Sequence, residues 1–253
     1  MKNKKVLISF LSVVFALITI VSVFMMFTVK KVNVNFSVYT DTTETADIQK
    51  KIDKYVGKNL IFFNLDEIKN LDIGPCFEIT SVSKNYPNVI DVKIKQRKER
   101  FVYSFQGENY LLSDEGYVLK KVDDSVLDEF VKIELDNIFT ENPVLGNKLK
   151  TDFDWIINDA VAFSGVDGVV DATTKITITK KGEYWRAISF KTRTDVVINF
   201  ESTKDELWFD LEDVSKAFSE YFNAENDYIK SYNMINVSKI EETGELKIAW
   251  INN

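Results

Sequence analysis

The sequence predicts an α+β protein with a membrane-spanning helix at its N-terminus. Three observations carry that expectation. A long apolar run from Val6 to Val29 is bracketed by lysines. The stretch after it reads strand, helix, helix, strand, strand. From Phe101 onward, short strands and turns outnumber amphipathic helices.

The apolar run comes first. Residues 1–31 contain no Asp or Glu. At ~1.5 Å per residue the run is long enough for a hydrocarbon core of ~30 Å. A cleaved signal would have a shorter apolar region ending in small residues. This one ends in Phe24-Met25-Met26-Phe27. Lys2, Lys4 and Lys5 precede it, and Lys30 and Lys31 follow. That balance and the short stub place the N-terminus in the cytoplasm. Residues 1–5 are then a cytoplasmic stub, 6–29 a single type II transmembrane helix in the cell membrane, and 32–253 extracytoplasmic. Ser9, Ser12, Ala16, Thr19 and Ser22 recur at steps of three and four on one face. Such a face suits either a partner helix or ordinary hydroxyl tolerance in a span.

Charge narrows the function. The chain has 32 Lys+Arg and 39 Asp+Glu. Five of the lysines lie before Val32, so the exterior carries 27 positive against 39 negative charges, a net of −12. An acidic exterior argues against nucleic acid as a partner. With no histidine and one cysteine, Cys76, the chain lacks imidazole chemistry, His metal sites and intramolecular disulfides. No Gly-rich phosphate loop is present. No cofactor, metal or catalytic residue is expected. Paired carboxylates at Asp114-Glu115, Asp123-Asp124 and Glu241-Glu242 leave one enzymatic alternative, a membrane-anchored cell-wall glycan hydrolase. Their setting beside Gly and Thr reads more simply as turn chemistry.

The remaining elements follow in order. Val32, Val34, Phe36 and Val38 alternate with polar residues, as in a half-buried strand. Thr40–Thr45 reads as a polar turn. Ile48, Ile52, Tyr55 and Val56 mark one face of a helix that Gly57 ends. Asn64 and Glu67 suggest a capping box for a second short helix, stopped by Gly74-Pro75. Phe77–Lys84 and Val89–Gln96 form a hairpin around Asn85-Tyr86-Pro87-Asn88. The basic cluster Lys93, Lys95, Arg97, Lys98 and Arg100 is a solvated strand face or an anion site.

Beyond it, strands are expected at Phe101–Phe105, Tyr110–Ser113, Tyr117–Lys120, Val131–Leu135, Val169–Ala172, Lys175–Thr179, Trp185–Phe190 and Val196–Phe200. Helices are expected over Leu149–Phe163, with Phe153, Ile156, Ile157 and Ala160 on one face, and over Leu211–Phe222. Ile235–Ile240 and Leu246–Ile251 are the last two strands, joined by the Glu241–Glu245 turn. A strand at a sheet edge presents unpaired backbone groups to a partner strand.

Several motifs in this order resemble the DivIB/FtsQ family of bacterial cell-division proteins. Gly57–Ile68 (GKNLIFFNLDEI) is similar to a segment of the family's POTRA module. Ser81–Glu99 (SVSKNYPNVIDVKIKQRKE) is similar to its Tyr-Pro-Asn hairpin. Tyr110–Leu119 (YLLSDEGYVL) and Asn142–Leu149 (NPVLGNKL) resemble motifs of its β domain. The chain departs from the pattern at Thr40–Thr45, and at Asn236 and Ser238, where charged residues are usual. The resemblance implies a POTRA-like domain over 32–98 and a β domain over 99–253. It implies a non-enzymatic divisome scaffold that binds DivIC/FtsB-like and FtsL-like partners and helps regulate septal peptidoglycan synthesis. It implies enrichment at the division septum. In the family, a partner strand adds to the last strand of the β domain. The matching residues here are Glu245, Leu246, Lys247, Ile248, Ala249 and Trp250. Leu246 and Ile248 are expected to pack inward, and Trp250 is either a core residue or an aromatic anchor.

Overall fold

The computed structural model describes residues 2–37, 42–152, 155–180, 182, 185–224, 229 and 231–252, with side chains in the first helix from Phe10 onward. The chain divides into two compact units, Met1–Arg97 and Lys98–Asn253. Both mix helix and strand, as the α+β expectation required.

The first unit opens with α1, Lys2–Met26. Its described apolar side chains are exposed, from Phe10 to Met26. Among the described residues, no helix is long and apolar enough to cross a membrane. The helix itself ends at Met26, three residues before the apolar run does at Val29. Loop residues compete successfully for the backbone there. Asn59 Nδ2 donates to the Phe24 carbonyl (3.1 Å), capping the helix. Val29 N–H donates to the Lys58 carbonyl (2.8 Å) and Leu60 N–H to that of Phe27 (2.7 Å). Val29 itself is buried. The end of the apolar run therefore belongs to the folded module.

β1 (Lys31–Ser37) follows, then α2 (Thr42–Asp53), α3 (Asp66–Lys69), β2 (Phe77–Asn85) and β3 (Val89–Gln96). This is the expected βααββ order. β3 is central, parallel to β1 and antiparallel to β2. A parallel pair needs a crossover, which the two helices and β2 supply. Ile90, Val92 and Ile94 are buried on β3 beneath Ile48, Ile52 and Ile68. The polar turn expected over Thr40–Thr45 is corrected, since α2 begins at Thr42. Val38, Thr40 and Asp41 lie outside the described residues, as does Phe153. The capping box at Asn64 is replaced by two contacts, in which Asn64 Oδ1 accepts from Asp66 N–H (3.0 Å) and the Asn64 carbonyl from Glu67 N–H (3.3 Å). The Glu67 carbonyl accepts from the Tyr55 hydroxyl instead (3.1 Å).

The second unit holds β4 (Glu99–Phe105), β5 (Glu108–Ser113), β6 (Val118–Val122), β7 (Val131–Asp136), α4 (Trp155–Ser164), α5 (Val169–Ala172), β8 (Thr173–Lys180), β9 (Arg186–Thr192), β10 (Val197–Ser202), α6 (Leu211–Asn223), β11 (Met234–Lys239) and β12 (Leu246–Ile251). The strands form one nine-stranded sheet, ordered β12-β11-β10-β9-β8-β7-β4-β5-β6. The parallel pairs β7–β8 and β10–β11 are bridged by α4–α5 and by α6. Those helices bury one face of the sheet, where Ile133, Ile176, Phe190, Ile198, Phe200 and Val237 form the core with Ile156, Phe163 and Phe218.

The opposite face alternates polar, with Ser189 Oγ donating to Asn199 Oδ1 (2.7 Å) and Asn199 Nδ2 to Asn236 Oδ1 (3.0 Å). Two expectations are corrected here. Val169–Ala172 is a helical turn, because Thr173 opens β8 and its hydroxyl donates back to the Val169 carbonyl (2.6 Å). Leu149 is buried but precedes α4, which begins only at Trp155. Its N–H instead donates to the Gly116 carbonyl (3.0 Å).

Candidate partner-binding edge

The six residues singled out at the C-terminus occupy the sheet edge, with Glu245 in the turn and Leu246–Trp250 on β12. β12 pairs antiparallel with β11, and no strand lies beyond it among the described residues. The hairpin is closed by Ile240 N–H donating to the Glu245 carbonyl (2.9 Å) and Gly244 N–H to that of Ile240 (2.7 Å). Gly244 takes φ +71°, the left-handed geometry that glycine adopts at least cost in such a bulge.

This closure sets the alternation along the strand. Lys247 and Ala249 face Ser238 and Asn236 in register and direct their backbone groups inward. Leu246, Ile248 and Trp250 direct theirs outward, while their side chains pack against the core. The side chain of Trp250 also meets the Tyr232 ring, 6.0 Å between centroids. The ring of Trp250 is therefore packed inward, as the core reading expects.

The edge is braced from behind. Lys239, at the end of β11, pairs with Asp213 (2.7 Å), and the two side chains are 15% and 11% exposed. Its Nζ also donates to the Trp208 carbonyl (3.0 Å). Asp210 and Asp213 form a reciprocal capping box at the start of α6. The Asp213 N–H holds the Asp210 carboxyl below its ordinary pKa. Lys204 bonds Glu241 in the β11–β12 turn (2.9 Å), which raises the lysine pKa.

Sequence reasoning missed a second brace. The Arg186 guanidinium lies over the rings of Trp155 and Trp208 at 4.7 and 4.1 Å, near Asp159 (3.9 Å) and Asp205 (3.4 Å). Burial raises the Asp159 pKa against the opposing pull of Arg186. The four tryptophans in the sequence were the only visible signal for it.

The carboxylates of the enzymatic alternative are not brought together. Asp114-Glu115 and Asp123-Asp124 lie at opposite ends of β6. Five residues at ~3.3 Å separate them by about 16 Å, beyond the ~5–9.5 Å used by paired glycosidase carboxylates. Glu108 lies near Asp124, since Asn109 Nδ2 donates to Asp124 and both line one open cleft. Lys121 and Tyr110 hold its pKa low, the wrong direction for a general acid. Among the described residues, no cluster of His, Cys, Asp and Glu suits a metal.

No family model matches the chain. Two curated proteins do. A cell division protein DivIB from Clostridium acetobutylicum is 30% identical over 97 residues, 38% of this chain and 38% of that protein. A cell division protein DivIB from Clostridium botulinum is 23% identical over 121 residues, 47% of this chain and 45% of that protein. The chain resembles the DivIB/FtsQ family. Each match spans less than half of the DivIB relative's length. The glycan-hydrolase alternative is not favoured by these relatives or by the carboxylate spacing.

Proposed function

We propose that this chain is a non-enzymatic cell-division scaffold, anchored in the cell membrane by α1 and acting at the septum. The N-terminus lies in the cytoplasm, and the POTRA-type module and β domain lie outside. A strand from a DivIC/FtsB-like or FtsL-like protein adds to β12, and through it the chain helps regulate septal peptidoglycan synthesis. The anchor is supported by the apolar run from Val6 to Val29 in the sequence and by the exposed apolar side chains of α1 from Phe10 to Met26. Thr19 Oγ1 donates to the Phe15 carbonyl (2.9 Å), so this hydroxyl is satisfied within the helix, as a span requires.

The observation that carries the binding reading is that β12 is the terminal strand of the sheet, with no strand beyond it among the described residues. Backbone bonds from Leu246 and Ile248 would give affinity, and the outer-face residues Lys247 and Ala249 would help to choose the partner. The test is proline substitution in the full-length protein, read by pull-down with the anchored partners. Ile248→Pro removes an outward N–H and leaves pairing with β11 intact, so binding should fall at least tenfold in a folded protein. Lys247→Pro removes an inward N–H and should unfold the hairpin. Unchanged binding by folded Ile248→Pro would end the strand-addition reading. A fluorescent fusion should accumulate at the septum, and a uniform membrane signal would contradict the division role.

A further inference from the structure

The junction between α1 and its module carries an exposed apolar surface that the strand-addition reading does not use. Only Phe27–Lys30 separate α1 from β1, and this link is fastened on both sides. Gly57 N–H donates to the Val29 carbonyl (2.8 Å), and Lys30 N–H donates to the Asn88 carbonyl (2.8 Å). Two loops, Gly57–Phe63 and the turn before β3, are thereby held around the end of the helix. Each presents large apolar side chains to solvent. Phe62 is 73% exposed, Tyr86 58% and Ile61 43%.

Their rings are not placed at random. The Phe62 ring stacks on Phe24 of α1, with centroids 5.7 Å apart and planes within 15°. Tyr86 meets Phe27 edge-on at 6.0 Å. Phe24 and Phe62 must therefore share one environment. Met25 and Met26, the next two residues, are themselves 69% and 59% exposed. A medium that covers α1 to its end has to reach Phe62. Cations line the same region. Lys30, Lys31 and Lys58 are exposed, and Lys84 Nζ donates to the Ile61 carbonyl (3.3 Å). Aromatic rings with lysines reaching past them are suited to the boundary between acyl chains and headgroups.

We propose that Ile61, Phe62 and Tyr86 form a foot that seats the first unit on the lipid surface. The foot fixes the orientation of the module against the bilayer, so α1 does more than tether it. This rests on the proposal that α1 spans the membrane. The rigid link explains why the foot can work, since the loops cannot swing away without breaking the bonds at Phe27, Val29 and Lys30.

The test uses full-length protein with Cys76→Ser in phosphatidylcholine/phosphatidylglycerol vesicles. An environment-sensitive fluorophore is attached to a single introduced cysteine at Phe15, Phe62 or Thr80, and lipids carrying spin labels serve as quenchers. Phe15 lies within α1 and reports the anchor. Thr80 is an exposed β2 residue, about 20 Å along the strand from Tyr86 at ~3.3 Å per residue. The expected result is blue-shifted emission at Phe62, with lipid quenching at least twice that at Thr80. Quenching at Phe15 with Phe62 behaving like Thr80 overturns the foot and leaves the anchor standing. No quenching at either Phe15 or Phe62 overturns the anchor and the foot together. A blue shift at Phe62 without lipid quenching marks contact between protein copies and also overturns the foot.

Discussion

The two edges of the nine-stranded sheet are finished in different ways. At the β6 edge the chain returns to seal itself. Val118 N–H donates to the Asn147 carbonyl (2.9 Å), and Gly146 N–H donates to the Val118 carbonyl (2.8 Å). Beyond Val118, Lys120 and Lys121 place charge along the strand, paired with Glu99 and Glu108. Cover and lysine are common protections for an edge strand. At the β12 edge no segment returns among the described residues. The contrast shows that an exposed edge is not forced on this fold, because the same sheet closes one and leaves the other open.

Substitutions can break that contrast. The largest effect belongs to Ile248→Pro, the loss of partner binding described above. Next is Gly116→Ala in the β5–β6 turn. Gly116 has φ +82°, and an added Cβ would lie 2.7 Å from Ile157 Cγ2. Left-handed strain and overpacking together should cost about 3 kcal/mol, read as a lower urea midpoint. It should also loosen the seal, since the Gly116 carbonyl holds Leu149. Retained partner binding with increased self-association would show that the two edges act independently.

Lys239→Met should cost about 2 kcal/mol, because it strands the mostly buried Asp213 behind β11. Lys121→Met at the sealed edge should leave the midpoint unchanged, its ion pair being exposed.

The smallest measurable effect, short of the null expected at Lys121, is the pH dependence of the α6 cap. The Asp210 pKa is depressed in the folded protein, so its contribution is present above the unfolded value and lost as pH falls through the folded one. Asp210→Ala should destabilise by about 1 kcal/mol at neutral pH. The difference from wild type should vanish as the pH falls below the carboxylate range, as measured by urea unfolding across pH.

Legibility followed the length of the repeating pattern. β3 was readable because Ile90, Val92 and Ile94 alternate with Asp91, Lys93 and Lys95. The helix α6 was readable because Leu211, Val214, Phe218 and Phe222 return at helical spacing, although only Val214 and Phe218 of these are buried, with Tyr221 beside them. Short apolar runs carry no period, and Val169–Ala172 was misread as a strand for that reason. The start of α2 was hidden because threonines suit turns as readily as a first helical turn. The C-terminal edge was anticipated from the last strand, but the outward backbone of Leu246, Ile248 and Trp250 needed the hairpin closure at Ile240. The Arg186 brace and the seal at β6 were invisible, since both join residues distant in sequence.

The sequence by itself determined the apolar helix, the acidic and histidine-free exterior, and most of the elements. Those are properties of composition and local period, which each segment carries alone. Tertiary structure decided where α1 ends, which edge is sealed, and which rings meet at the module's base. Those outcomes depend on competition for backbone hydrogen bonds between distant segments. Phe27 and Val29 are apolar and extend the run beyond the helix, yet the Gly57–Leu60 loop takes their backbone groups first.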